Sequence, residues 1–164
     1  MKKLVLIVLV STFSVVGKSQ DSKSNFKVGA TIAVPTGALT LVNNLGYGIL
    51  LDGDLYKINE KMNLYAEASL LFFPGKAGAL GSSTTATHIP ILGGIRYKSN
   101  DFIFGLGVGY GYYNFGEGDK ESGFSYSPHI GYSLKKIDIL FKYNSTTTSG
   151  LNANYIGIGG VYKF

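Results

Sequence analysis

A chain of 164 residues that is 45% hydrophobic and only 15% charged is short for two ordinary domains and too apolar for a disordered segment, so one folded domain is expected. It has no cysteine, which excludes a disulfide framework, a zinc site built on thiolates and thiol chemistry. The formal charge of +5 falls to about +2 without Lys2, Lys3 and Lys18, so the basicity belongs largely to the first residues and no nucleic-acid partner is expected.

Lys2 and Lys3 make a positive start, and 4–16 is an apolar run broken only by Ser11, Thr12 and Ser14. That is the length of a secretory signal core and is shorter than the roughly 20 residues of a membrane-spanning helix. Gly17 and Ser19 are small residues where a signal peptidase reads them, so cleavage before Gln20 is expected. The chain then divides into a signal peptide, 1–19, and one domain, 20–164.

From Asn25 onward the apolar residues recur with the strand period of two, and no segment has a helical period. The first stretch, 26–34, sets Phe26, Val28, Ala30, Ile32 and Val34 against Lys27, Gly29, Thr31 and Ala33. The second, 45–56, sets Tyr47, Ile49, Leu51 and Leu55 against Gly46, Gly48, Asp52 and Asp54. In the third, 64–72, Leu64, Ala66, Ala68, Leu70 and Phe72 oppose Tyr65, Glu67 and Ser69. The fourth, 88–97, opposes Ile89, Ile91, Ile95 and Tyr97 to Pro90, Leu92, Gly94 and Arg96.

The fifth, 102–112, alternates without a break, with Phe102, Phe104, Leu106, Val108, Tyr110 and Tyr112 on one face and Ile103 and four glycines on the other. The sixth, 124–134, places Phe124, Tyr126, Ile130, Tyr132 and Leu134 opposite Ser125, Ser127, His129, Gly131 and Ser133. Ile137, Ile139, Phe141 and Tyr143 oppose Asp138 and Lys142 in the seventh, 137–143. The last, 153–164, has Ile156, Ile158, Tyr162 and Phe164 against Tyr155, Gly157, Gly159 and Lys163.

The connections at 35–44, 74–87, 113–122 and 144–152 are long, and those at 59–62, 98–100 and 135–136 are short. Long loops at one end and tight turns at the other predict an all-β, eight-stranded antiparallel up-and-down transmembrane β-barrel, its long loops extracellular and both termini periplasmic. A soluble barrel would put the apolar row inside, but the polar row here is dominated by small residues that cannot shield a barrel from water. Its aromatic row is also too bulky for a narrow lumen. The bulky row is therefore expected to face outer-membrane lipid, with tyrosines near the strand ends as interfacial girdles.

Lys27, Asp52, Asp54, Glu67, Arg96, Asp138, Lys142 and Lys163 then share the inward parity, four of each sign. Most lie at similar distances from the short turns, so an ion-paired lumen network including His129 is expected to plug the periplasmic half, because unpaired charges there are costly.

The signal peptide, the segment from His88 through Ile89, Pro90, Ile91, Leu92, Gly93, Gly94, Ile95 and Arg96 to Tyr97, the glycine alternation of the fifth stretch and the terminal Tyr162-Lys163-Phe164 resemble the small outer-membrane β-barrel proteins of Gram-negative bacteria, the OmpX and OmpA transmembrane type. The resemblance spans 20–164, is one of pattern, and implies fold more than function. It implies that Phe164 is the signal read by the barrel assembly machinery.

The run from Gly105 to Gly111 is no phosphate loop, since no helix follows it and no acidic residue stands where a βαβ nucleotide site would need one. His129 with Ser127 and Ser133 offers hydrolase ingredients, but on the lumen face; His88 with Ser82 and Ser83 is read as better placed for acyl transfer at the outer leaflet, without a companion carboxylate. No cofactor or metal is expected. Glu117, Asp119, Lys120 and Glu121 make the third long loop the most charged, and Thr146-Thr147-Thr148 in the fourth is read as prolonging its strands and offering their edges to a partner. The favoured function is a non-enzymatic structural or surface-interaction role, with an extracellular partner at the four long loops. A narrow pore for small solutes, a lipid-modifying outer-membrane enzyme and a soluble secreted lipocalin-like ligand-binding barrel are the alternatives.

Overall fold

The computed structural model describes residues 25–77, 84–116, 120–148 and 152–164. The signal segment, Ser82, Ser83, Glu117 and Asp119 lie outside the described residues. Eight strands follow in chain order: β1 (Asn25–Gly37), β2 (Gly46–Lys57), β3 (Met62–Phe73), β4 (Ala86–Ser99), β5 (Phe102–Asn114), β6 (Lys120–Ser133), β7 (Ile137–Thr147) and β8 (Asn152–Lys163). Each pairs antiparallel with its sequence neighbour, and β1 pairs with β8, which closes the barrel.

Following directly paired residues around the wall leads from Lys27 through Asp52, Glu67, Leu92, Gly109, Ser125, Thr146 and Ala153 back to β1 at Gly37. The path returns about ten residues further along the strand, and for eight strands that stagger corresponds to a tilt of about 40°. The stagger decides which inward side chains share a level, and so which can meet across the lumen.

The alternation read along the sequence is the alternation of exposure. In β5, Phe104, Leu106, Val108 and Tyr110 are exposed while Ile103, Gly107 and Gly111 are buried. A β-bulge between Asp54 and Tyr56 interrupts the ladder of β2 with β3 and leaves Leu55 and Tyr56 both facing out. The tight turn between β4 and β5 uses Asn100 at φ 53°, a left-handed conformation that asparagine tolerates better than most residues.

Two departures from the sequence reading have simple causes. Strands β4, β6 and β7 run past the expected ends because Thr87, Ser122, Asn144 and Thr147 continue the hydrogen-bonded ladder, which needs backbone and not apolar side chains. The first long connection holds a short helix, α1 (Leu39–Val42), a single turn with one buried residue, Leu39, too short to show a period.

Candidate functional site

The lumen brings the eight inward charges read from the sequence into two groups on the short-turn side of the aromatic rings. In the larger, Arg96 on β4 reaches Asp52 on β2 with two hydrogen bonds, Nη2 to Oδ2 at 2.5 Å and Nη1 to Oδ1 at 2.9 Å, and Asp54 with a third at 2.8 Å. Lys27 Nζ stands 3.2 Å from Asp52, 3.6 Å from Asp54 and 3.0 Å from Asp138 on β7. Lys163 closes the ring from β8, its ammonium 2.9 Å from Asp138 and 2.7 Å from the Ser133 hydroxyl. Lys98, which the sequence reading left in a turn, adds a fifth cation to the lumen at 2.7 Å from Asp54. It continues the inward parity of Arg96, and that was the signal for it.

Glu67 on β3 and Lys142 on β7 form the second group, an ion pair directed across the lumen. Arg96 also lies over the Tyr65 ring, 4.2 Å from its centroid, and Tyr65 meets His129 edge-on at 5.3 Å. Gly105 makes this possible: a Cβ there would run into the His129 ring. Within the same lumen, Leu50, Ile103, Leu140 and Val161 pack into a buried apolar cluster.

The long-loop end is closed by rings. His88 stacks on Tyr113 at 3.8 Å with an angle of 11°, Tyr113 stacks on Phe115 at 5.4 Å, and Tyr155 meets both His88 and Phe73. Beneath them Thr146 Oγ1 lies 3.2 Å from His88 Nε2 and 3.0 Å from Ser125 Oγ, with Asn144 beside it. Sequence reasoning missed this aromatic cap, although Tyr113, Tyr155 and Phe73 all carry the inward parity.

One expectation, the place of His88, is corrected by the structure. His88 is fully buried within the barrel and does not approach the outer leaflet; its parity with Pro90, Leu92 and Arg96 dictates this. His129 engages Tyr65, with Nδ1 3.5 Å from the hydroxyl, and the buried Ser127 hydroxyl has no hydrogen-bond partner among the described residues, so no serine-histidine pair forms. The strand edges at Thr146 and Thr147 are not free either: Thr147 pairs with Phe124 on one side and Asn152 on the other, which leaves no edge for β-augmentation there.

Outside, the aromatic residues form two belts. Tyr56, Tyr97, Phe102, Tyr132, Tyr162 and Phe164 ring the short-turn end, and Tyr47, Tyr110, Tyr112, Phe124 and Tyr126 the other. From Phe102 to Tyr110 along β5 is eight residues, which at about 3.3 Å per residue and a tilt of about 40° is about 20 Å of height. Between the belts the exposed surface is Ile49, Leu51, Ile91, Leu106, Val108, Ile130, Ile139 and Ile158.

Above the barrel, the first two long connections are tied together. Asn43 pairs with Gly75 in an isolated bridge and donates from Nδ2 to the Phe73 carbonyl at 3.0 Å, while Lys76 N–H donates to the Val42 carbonyl at 2.8 Å. Leu41, 70% exposed, stands on this platform.

No protein-family model and no curated protein sequence matches the chain. Solved structures do. The outer membrane protein Ail of Yersinia pestis in a phospholipid bilayer nanodisc superposes with a TM-score of 0.60 at 12% identity, over 87% of this chain and 100% of that one. Neisserial surface protein A gives a TM-score of 0.56 at 13% identity, over 87% and 98% of the two chains. The N-terminal β-barrel domain of Pseudomonas aeruginosa OprF gives 0.57 at 8% identity, over 87% and 100%. At these identities the likeness is one of architecture, and it agrees with the closed register: the chain has the fold of the eight-stranded outer-membrane β-barrels.

Proposed function

We propose that the protein is an integral outer-membrane barrel with a plugged lumen and no catalytic role, whose specificity lies in the long loops at its extracellular end. One observation carries this reading: the surface between the aromatic belts is uniformly apolar while Lys27, Asp52, Arg96 and Asp138 are buried inside. Water would invert that arrangement, and a hydrocarbon layer of about 25 Å favours it. The exported, signal-directed route and assembly by the barrel machinery through Phe164 belong to the same reading.

A plugged lumen rather than a pore is supported by the stacking of two closures, ion pairs at one end and the ring of His88, Tyr113, Phe115 and Tyr155 at the other. An eight-stranded barrel has room for its own side chains and little else. The long loops are the polar surface at the extracellular end. Ail has been solved with the heparin analogue sucrose octasulfate. The long connections of this chain suit such a polyanion poorly, because Glu117, Asp119 and Glu121 outnumber Lys76 and Lys120. A partner that is neutral or basic and meets the Leu41 platform fits better.

Planar-bilayer recording tests the reading. The protein, shown to be inserted, is expected to give no discrete conductance steps; regular steps scaling with salt would make it a pore instead.

A further inference from the structure

The two ends of the barrel differ in sign, and the short-turn end is the basic one. Lys57, Lys61, Lys135 and Lys136 are exposed there, and none has an ion-pair partner among the described residues. Among the described residues the exposed acids at that end are Glu60 and Asp101, the latter accepting a hydrogen bond from the Tyr132 hydroxyl at 3.2 Å. The Lys98 and Lys163 ammoniums also reach the rim, about a third exposed, with their carboxylate partners on the inner side.

The lysines fall in two clusters because backbone hydrogen bonds set each turn against the next strand: Lys98 N–H donates to the Lys61 carbonyl at 2.7 Å, and Lys163 N–H to the Lys136 carbonyl at 2.9 Å. Each cluster lies next to the aromatic belt, since Tyr56 precedes Lys57, Tyr97 precedes Lys98 and Tyr162 precedes Lys163. Aromatic rings of this kind settle at headgroup level, so the ammoniums on their flexible stems are at the depth of lipid phosphates.

We propose that this rim is a binding collar for anionic glycerophospholipid headgroups in the leaflet at the short-turn end. The inference rests on the membrane reading above. A zwitterionic headgroup carries its own amine and gains little from a lysine; a headgroup with net negative charge is attracted, by about fivefold for each lysine close to the surface. The long-loop end, with Glu117, Asp119 and Glu121 against two lysines, offers no such attraction. The collar would therefore select lipid composition and also fix which end of the barrel faces which leaflet.

The test uses the protein reconstituted in phosphatidylcholine vesicles, with trace spin-labelled phosphatidylglycerol or phosphatidylcholine as the probe. The wild type is expected to prefer the phosphatidylglycerol label about twofold to fivefold, and to lose the preference in salt of about 0.5 M. The variant carrying Lys57→Gln, Lys61→Gln, Lys135→Gln and Lys136→Gln is expected to lose it, while Lys76→Gln with Lys120→Gln keeps it. If the fourfold variant does not fold, the two pairwise variants, one per cluster, are each expected to remove part of it. Equal association of the two labels with the wild type would overturn the proposal, as would an unchanged preference in the variants. Cosedimentation with purified cell-wall sacculi that needs these lysines, without any lipid preference, would make the rim a cell-wall contact and overturn it too. Failure to enter vesicles at all would strike the membrane reading itself.

Discussion

Arg96 and Asp52 form a two-pronged ion pair between β4 and β2, strands that are not neighbours, with Tyr65 of the intervening β3 beneath the guanidinium. The pair is thus a strut over one wall of the lumen, and both side chains are fully buried. Arg96→Met is expected to leave Asp52 and Asp54 short of countercharge and to cost about 3 kcal/mol, because a buried charge stripped of its partner keeps its desolvation penalty. Arg96→Lys should recover little, since one ammonium cannot serve both carboxylate oxygens in the same geometry. Urea unfolding in detergent reads both, and a wild-type midpoint for Arg96→Met would show that the network contributes nothing.

Adding one methyl group separates two glycines. A Cβ on Gly94 would meet the backbone carbonyl of Leu106 on β5, whereas nothing lies within 4 Å of the position a Cβ would take on Gly160. Gly94→Ala is expected to cost about 1–3 kcal/mol, or to block folding where the strands cannot part. Gly160→Ala should be silent. The fraction of protein that migrates fast on a gel without boiling measures the contrast.

His88→Ala removes the centre of the aromatic cap. The expected loss is about 2–3 kcal/mol of stability, from the stacked Tyr113 contact and the space left behind. Lipid A from cells producing wild type or variant should have identical acylation by mass spectrometry. A change that depends on His88 would restore the enzymatic alternative.

Phe164 touches only Tyr162 among the aromatic rings, 5.3 Å away, and is 80% exposed. Phe164→Ala is therefore expected to leave refolding into detergent micelles within about 0.5 kcal/mol of wild type, as a surface change should. Its level in the outer membrane of cells is expected to fall severalfold. Equal levels would deny the residue a part in assembly.

The sequence alone carried the wall of this barrel further than its contents. Alternation at Phe102 through Tyr112 marks a strand with two unlike faces, and the same parity places Lys27, Asp52 and Arg96 together inside. Which of them meet depends on the ten-residue stagger, a property of the closed sheet that no single strand displays. His88 shows the opposite case. Its parity with Leu92 and Arg96 was legible, but the serines of the preceding loop suggested a place at the outer leaflet, whereas that parity turns the ring into the lumen. Lys98 was lost in the same way, taken for a turn residue although it extends the row of Arg96. Helix α1 left no trace because four residues complete scarcely one turn.

In the proposed membrane setting the bulky face of the barrel meets hydrocarbon. The absence of native cysteine allows a direct test with nitroxide labels on Phe104→Cys, Leu106→Cys, Val108→Cys and Ile130→Cys, all outward positions between or beside the belts. In lipid vesicles these sites are expected to collide far more with oxygen, which concentrates in hydrocarbon, than with a water-soluble nickel chelate, most strongly near Leu106 and Val108. Collision with the nickel chelate at every site as frequent as in water would contradict the account and turn the barrel's apolar surface back toward solvent.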